Sequence, residues 1–277
     1  MDVKHGLELY EEVRKDLKFL SASSVRTKVM IGLNGGSCSL GDLREKLDLE
    51  APPISRALNQ FAKQNYVVKD SDLYFLSQTG KIIFRRLMES IRTIHVLKKF
   101  DSLWLNHDMK DIPVDLLRTI GNLENSELVE SEPTDIFKPF DNYNSLLRKS
   151  NKIKGLSPIF RPDFLNLFRE LIEKGADVEF IFTGSILDKI VKNLDSESVI
   201  KMKEFISRDE LKIWRINCDV KVAFTITEKF LSLGLFSSSG CYDPTRDLVS
   251  SDHDALKWGN DLFDYYKKKS ERINFQI

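Results

Sequence analysis

Pro53-Ile54-Ser55-Arg56-Ala57-Leu58-Asn59-Gln60-Phe61-Ala62-Lys63-Gln64 is the stretch that decides how the first third of this chain is read. At helical spacing Ile54, Leu58 and Phe61 share one stripe with Ala57 beside them, while Ser55, Arg56, Asn59, Gln60 and Lys63 share the other face. The outer face offers a guanidinium, two amides, a hydroxyl and an ammonium, and no carboxylate. Such groups suit double-stranded DNA: Arg grips guanine, Asn and Gln grip adenine, and Lys neutralises phosphate. Pro52 stands where a helix begins, because the first N–H groups of a helix have no partner within it.

The flanks fit a DNA-binding module. Upstream, Leu7, Tyr10, Val13, Leu17 and Leu20 recur at helical spacing. Ser23 and Ser24 cap a second helix with Val25, Val29 and Leu33 on one face, and Asn34-Gly35-Gly36 ends it. Ser39 caps a short third helix, Leu40 to Leu47. Downstream, Tyr66-Val67-Val68 and Leu73-Tyr74-Phe75-Leu76 read as strands joined by a tight turn at Asp70 to Asp72, and Thr79-Gly80 opens a long helix. This is the order of a winged helix-turn-helix. The alternative is a small helical domain with an incidental hairpin, and the wing tip, Lys69-Asp70-Ser71-Asp72, is mostly acidic and poorly suited to phosphates. Gln78-Thr79-Gly80-Lys81 is no phosphate loop, since Phe75 stands in place of the first Gly and Ile82 in place of Ser or Thr.

From Lys81 to about Trp104 the helical period continues. Its stripe of Ile83, Leu87, Ile91 and Ile94 predicts a helix that pairs with its twin in a homodimer, as two-fold operators require. The alternative is that the stripe packs only on Leu7 to Leu20 of its own chain. Past Asp108 strands and helices alternate. Strands are expected at 127–129, 154–160, 178–182 and 211–216, with helices at 163–174 and 187–206. A hairpin follows over 220–227 and 230–236, with Val222, Phe224 and Ile226 on one face of its first strand and Ala223, Thr225 and Thr227 on the other. A last helix covers 252–268. The expected architecture has two domains, α+β then α/β. It comprises a winged helix-turn-helix over 1–80, a linker and dimerisation helix over 81–106, and an α/β domain with a mixed sheet over 107–277.

Composition narrows the function classes. With 42% hydrophobic and 30% charged residues, the 277-residue chain can build packed cores. Its 42 basic and 42 acidic residues cancel, so only local charge is informative. Residues 21–100 carry 13 Lys/Arg against 7 Asp/Glu, and residues 101–150 carry 5 against 10. A basic segment before an acidic one suits two modules facing different partners, the first an anion such as DNA; ordinary solvated faces are the alternative. No apolar run approaches the roughly 18 residues of a membrane span, and Met1 to Arg14 has no signal-peptide core. Three scattered cysteines exclude a disulfide framework and a Cys-x-x-Cys zinc site, so a cytoplasmic setting is expected.

Four histidines leave little for acid–base chemistry, and Gly-x-Ser-x-Gly, His-Glu-x-x-His, Gly-x-Gly-x-x-Gly and His-x-Lys are all missing. No catalytic residue, metal or cofactor is expected. His253 between Asp252 and Asp254 reads as an acidic helix start. Cys218 and Cys241 are either a redox pair or inert thiols.

Several stretches of the second half carry a resemblance. They are Phe137-Lys138-Pro139, Lys154-Gly155-Leu156-Ser157-Pro158-Ile159-Phe160 and Lys221-Val222-Ala223-Phe224-Thr225-Ile226-Thr227, then Phe230-Leu231-Ser232-Leu233-Gly234-Leu235-Phe236, Tyr242-Asp243-Pro244-Thr245-Arg246-Asp247-Leu248-Val249-Ser250 and Ala255-Leu256-Lys257-Trp258-Gly259. In this order and spacing they resemble the C-terminal domain of the archaeal methanogenesis regulatory proteins, over about residues 107–270. The resemblance implies a transcription regulator whose α/β domain senses a signal and whose winged helix binds operator DNA.

By the residues themselves, Tyr242 to Ser250 is the best place for an effector. Arg246 is able to grip a carboxylate or phosphate bidentately with Thr245 as a second donor, which suits a small anionic effector. Ser157 and Phe160 at a strand end line the same cleft, and Thr225 and Thr227 add polar groups beside apolar strands. The alternative is a structural loop, with Asp243 starting a turn before Pro244 and Arg246 paired with an acid. At the level of function, the alternative to a ligand-responsive regulator is a constitutive architectural or interaction protein whose second domain dimerises or recruits a partner.

Overall fold

Capping and stripe spacing set the helices of the first of two units, which ends at Ser90 in a computed structural model describing residues 2–273. Its elements are α1 (Val3–Ser21), α2 (Ser24–Asn34), β1 (Cys38–Ser39), α3 (Leu40–Leu47), α4 (Ala51–Lys63), β2 (Val67–Asp70), β3 (Leu73–Leu76) and the first part of α5 (Gln78–Lys99). The Ser23 hydroxyl accepts from the Arg26 N–H at the start of α2. Ser39 and Asp42 form a reciprocal capping box on α3, and the Ser39 N–H and hydroxyl hold the Asp42 carboxyl below the ordinary carboxylate range. Val29, Leu33, Leu43, Ile54, Leu58, Phe61, Leu76 and Phe84 are buried together. The strands form an antiparallel sheet in the order β1-β3-β2, so Cys38–Ser39 adds a strand that two residues of sequence do not announce. Gly80 is required by close approach: a Cβ there would lie 2.0 Å from the Tyr66 carbonyl oxygen.

The second unit begins at Ile91. After the end of α5 come α6 (Asp101–Asn106), β4 (His107–Asp108), α7 (Val114–Arg118), β5 (Glu127–Glu130), α8 (Lys138–Leu147), β6 (Lys152–Ser157), α9 (Pro162–Glu173) and β7 (Asp177–Thr183). Then follow α10 (Gly184–Asn193), α11 (Ser196–Ser207), β8 (Leu211–Ile216), β9 (Val222–Thr227), β10 (Leu231–Ser237), β11 (Arg246–Ser250), α12 (His253–Lys267) and β12 (Glu271–Arg272). The sheet runs β12-β8-β7-β6-β9-β10-β11-β5, with β4 on β10. The strands β6, β7 and β8 are parallel, joined by helical crossovers, whereas β9, β10, β11 and β5 are antiparallel. The change falls between β6 and β9.

Each sheet face has its own core. Leu156, Phe224, Ile226, Leu231 and Leu233 pack with Trp258, Leu262 and Phe263 of α12. Ile153, Val178, Phe180 and Phe230 pack with Leu147 of α8, Leu167 and Leu171 of α9, and Phe205 of α11. Strand alternation therefore puts Thr225, Ser232 and Asp247 on the α8/α9 face.

The structure differs from the sequence reading in several further places. The helix expected over 187–206 is two helices, because Asp195 caps a new one through the Ser198 N–H. The linker helix expected over 81–106 runs as α5 to Lys99, with Ile83 and Leu87 packed against the first unit's core and Val96 and Phe100 in the second's, and α6 follows from Asp101. Arg246 to Ser250 is a strand, and Lys138 to Leu147 is a helix. Among the described residues, no helix is long and apolar enough to cross a membrane.

Candidate functional site

In the first unit, burial of Ile54, Ala57, Leu58 and Phe61 turns the opposite side of α4 outward. Arg56, Asn59 and Lys63 are exposed and Ser55 is half-buried. Gln60 is half-buried too, and its Oε1 accepts from Arg26 Nη1 at 3.2 Å. Arg26 is itself held, donating from Nε to the Phe19 carbonyl at 2.7 Å with its guanidinium 4.4 Å above the Phe19 ring. Gln60 thus ties α4 to α2, and among the described residues the side chains of Ser55, Arg56, Asn59 and Lys63 have no hydrogen-bond or ion-pair partner. The stripe assigned to pairing is divided by burial. Ile83 and Leu87 lie against the first unit's core, Ile91 is half-buried, and Ile94 is 54% exposed.

In the second unit, a cavity of about 200 Å³ opens beside the C-terminal end of β6, on the α8/α9 face. Ligands commonly sit outside the carboxyl ends of parallel strands, where the order of a sheet switches. Ser157, Phe160, Thr225 and Arg246 line it; Thr227 and Thr245 do not. The Thr227 hydroxyl closes the β9–β10 turn, donating to the Phe230 carbonyl and accepting from the Lys229 and Phe230 N–H groups. Thr245 is exposed and donates from its N–H and hydroxyl to Asp243 Oδ1. Asp243 Oδ2 lies 3.0 Å from Nε2 of the buried His107, whose Nδ1 is 2.7 Å from the Leu103 carbonyl. Burial opposes the Asp243 charge, but these hydrogen bonds from Thr245 and His107 keep its carboxyl below the usual range. Thr245 and His107 therefore anchor the loop that leads into β11.

The guanidinium of Arg246 is already occupied. Its Nε lies 2.9 Å from Glu130 Oε1 and its Nη1 donates to the Ser102 carbonyl at 3.4 Å. Alternation along β11 puts it on the face of Leu248, opposite Asp247. Arg246 lines the cavity but its guanidinium is held by Glu130 and Ser102, and Thr245 lies outside the lining, so the ion-pair alternative is the arrangement found.

Residues the sequence reading passed over form the cavity's polar floor. The buried Ser232 hydroxyl donates to the buried carboxylate of Asp247, 2.8 Å from each oxygen. Burial pushes the Asp247 carboxyl up to about 7, only partly offset by Ser232 and the Leu233 N–H. Tyr143 and Thr225 share a hydrogen bond of 2.8 Å across the cavity wall. Burial raises the phenols of both Tyr143 and Tyr242 well above their ordinary range. Tyr242 fits because Gly234 has no side chain: a Cβ there would lie 2.6 Å from its hydroxyl oxygen. Phe140, Phe164 and Arg161 complete the apolar side, with the Arg161 guanidinium 3.8 Å above the Phe140 ring. Among the described residues, no group of His, Cys, Asp and Glu is arranged to hold a metal ion.

Comparison with known proteins covers both units. Residues 14–95 match the N-terminal domain of the methanogenesis regulatory protein FilR1, and residues 136–269 match the middle domain of that protein. FilR1 of Methanothrix harundinacea (strain 6Ac) is 25% identical over 261 residues, covering 94% of this chain. The chain spans 58% of the length of that relative. Among solved structures, the archaeal chromatin protein TrmBL2 aligns over 98% of this chain and 100% of its own at 13% identity, with a TM-score of 0.43. An IcIR transcriptional regulator from Alicyclobacillus acidocaldarius aligns over 89% of this chain and 95% of its own at 11% identity, with a TM-score of 0.26. With two successive FilR1 domains matched in order along its length, the chain belongs to the family of methanogenesis regulatory proteins.

Proposed function

We propose that this chain is a DNA-binding transcriptional regulator in which α4 is the recognition helix of a winged helix-turn-helix and the second unit holds a small-molecule effector. The observation that carries the reading is the outer face of α4, where Arg56, Asn59 and Lys63 stand exposed with no carboxylate among them. Arg56 and Asn59 supply bidentate groups for base edges, and Lys63 supplies charge for the phosphate backbone. Ser55 adds a hydroxyl beside them, and Gln60 fixes the helix from behind. The regulator acts as a homodimer, with Ile91 and Ile94 of α5 in the contact; Ile83 and Leu87 support the helix from the core side.

The effector half of the proposal rests on a cavity with a buried acid, two phenols and aromatic walls. Coupling needs only that an effector bind one conformational state better than another. The test is electrophoretic mobility shift with the DNA upstream of the chain's own gene, with and without extract-derived metabolites. Specific binding that metabolites alter is the expected result. Specific binding that no metabolite alters identifies a constitutive architectural protein, and binding indifferent to sequence removes α4 as a reader of bases.

A further inference from the structure

The floor of the cavity points to the chemistry of its occupant. Thr225 and Ser232 are register partners on β9 and β10, and Ser232 bonds to Asp247 on β11, so three polar side chains form a row across three strands. The single Ser232 proton serves both Asp247 oxygens, which leaves the carboxylate with unused lone pairs inside the protein. The row therefore offers an acceptor in want of a donor. Along one side stand aromatic rings: Tyr143 lies 5.6 Å from Phe164, and Phe164 lies 6.0 Å from Phe140. Arg161, the cation of this wall, lies over Phe140 and pairs with Asp163.

We propose that the cavity takes a small aromatic or aliphatic amine, with its ammonium against Asp247 and its apolar body against Phe164 and Tyr143. This rests on the reading of the cavity as an effector site. An ammonium supplies the donors that the carboxylate lacks and compensates the cost of its buried charge. Of the neighbouring rings, Phe140 and Phe164 already carry the Arg161 guanidinium, 3.8 and 5.1 Å from their centroids, so the attraction for an ammonium is that of Asp247. A carboxylate or phosphate placed against Asp247 would meet it as a like charge once the acid is ionised, whereas the basic Arg161, Arg169 and Lys201 line other parts of the cavity. Size agrees, since a cavity of about 150 Å³ holds a benzene ring and this one is about 200 Å³.

Ammonium binding and Asp247 ionisation are coupled. Around the Asp247 carboxyl stand Tyr143 of α8, Tyr242 of the loop before β11 and Arg161 before α9, and Arg169, Lys201 and Arg246 line the same cavity. Both phenols are raised, so neither titrates between about pH 6 and 8. The affinity of an amine should accordingly rise with pH over that interval and then level off, as the carboxyl titrates around 7.

The experiment uses three probes with one skeleton, benzylamine, benzyl alcohol and benzoate, titrated by calorimetry into the full chain at pH 6 and pH 8. Benzylamine should bind about tenfold more tightly at pH 8 than at pH 6, because about nine in ten Asp247 carboxyls are protonated at the lower pH. It should outbind benzyl alcohol at pH 8. Asp247→Asn removes a buried charge rather than a needed one, so it should fold, and should erase both the pH dependence and the amine preference. Benzoate or benzyl alcohol binding more tightly than benzylamine overturns the amine assignment while leaving the cavity as an effector site. Binding of none of the three at either pH, with wild type and variant folded, overturns both, and the cavity is then a packing defect.

Discussion

Ser232 and Asp247 meet diagonally across β10 and β11 with the serine hydroxyl 2.8 Å from each carboxylate oxygen, both residues buried. One hydroxyl and one backbone N–H are a small hydrogen-bond supply for a carboxylate inside a protein, which is why burial wins and holds its protonation point near 7. The folded value lies above the unfolded one, so the neutral acid is the form the fold favours. The contribution of Asp247 is best below about pH 4, where both states are protonated, declines as pH rises towards 7, and stays low above it. Replacing it with Asn should therefore stabilise the chain, by an amount that grows between about pH 5 and 7 and reaches a few kcal/mol. Urea unfolding of wild type and Asp247→Asn at pH 5, 6, 7 and 8 measures this. A gap that stays constant with pH shows that Asp247 is ionised throughout in the fold.

The wall of the same cavity depends on Gly234. A methyl group there would meet the Tyr242 hydroxyl oxygen at 2.6 Å and its ring at 2.8 Å, and that ring already packs edge-on against Phe236 at 5.4 Å. Gly234→Ala should cost about 1–3 kcal/mol through overpacking. Tyr242→Ala in the same chain should recover part of that cost, and a double-mutant cycle reads the coupling. Strictly additive losses would mean that the strand, not the tyrosine, absorbs the clash.

How much of this was legible in the sequence varies with the range of the interaction concerned. Helix starts at Ser23 and Ser39 follow from capping within four residues, and the face of α4 follows from a period of 3.6. The alternation of Val222, Phe224 and Ile226 against Ala223, Thr225 and Thr227 was equally local, and the sheet has it so. The Glu130 partner of Arg246 lies more than a hundred residues away in the chain, and only the β11–β5 register brings the two together. Without that register, a guanidinium beside a turn looks free. The polar floor carried a signal that went unused: Ser232 and Asp247 are polar residues at inward positions of apolar strands. A buried serine and a buried acid need each other, and that pairing was the available clue.

The Arg246–Glu130 ion pair should be worth little. Its side chains are 26% and 47% exposed, so water screens the charges. Arg246→Met should lower stability by about 1 kcal/mol or less. It should also leave benzylamine binding at its wild-type level, because the guanidinium lies on the other face of β11 from Asp247. Loss of amine binding in a folded Arg246→Met chain would make its guanidinium part of the amine site.

Association through α5 separates from folding by choice of residue. Leu87 packs into the first unit's core, and Ile94 is 54% exposed. Leu87→Asp should destabilise the first unit, since the half-buried position loses apolar packing against the core and takes part of the new charge out of water. Ile94→Asp should leave folding intact and shift a dimer towards monomer in sedimentation velocity. A wild-type monomer at high micromolar concentration removes the dimer altogether.

The recognition helix offers the sharpest contrast, between two neighbouring polar residues of α4. Arg56 is exposed and touches no acid among the described residues, whereas Gln60 accepts from Arg26 and links α4 to α2. Arg56→Ala should leave the unfolding free energy within about 0.5 kcal/mol of wild type, as surface changes away from special features do. On the operator it should cost about 1–3 kcal/mol and relax preference at one base position. Lys63→Ala should weaken operator and unrelated DNA alike and reduce the salt dependence, because a phosphate contact carries no sequence information. Gln60→Ala should reverse the pattern. It removes the acceptor for an Arg26 N–H, so stability should fall by about 1 kcal/mol, while base preference stays as it was. Gel-shift titrations against the operator and a scrambled duplex, run beside urea unfolding of each variant, separate these outcomes. Should Gln60→Ala change base preference while Arg56→Ala does not, α4 meets DNA with the side of the helix that faces α2, and Arg56 is no reader of bases.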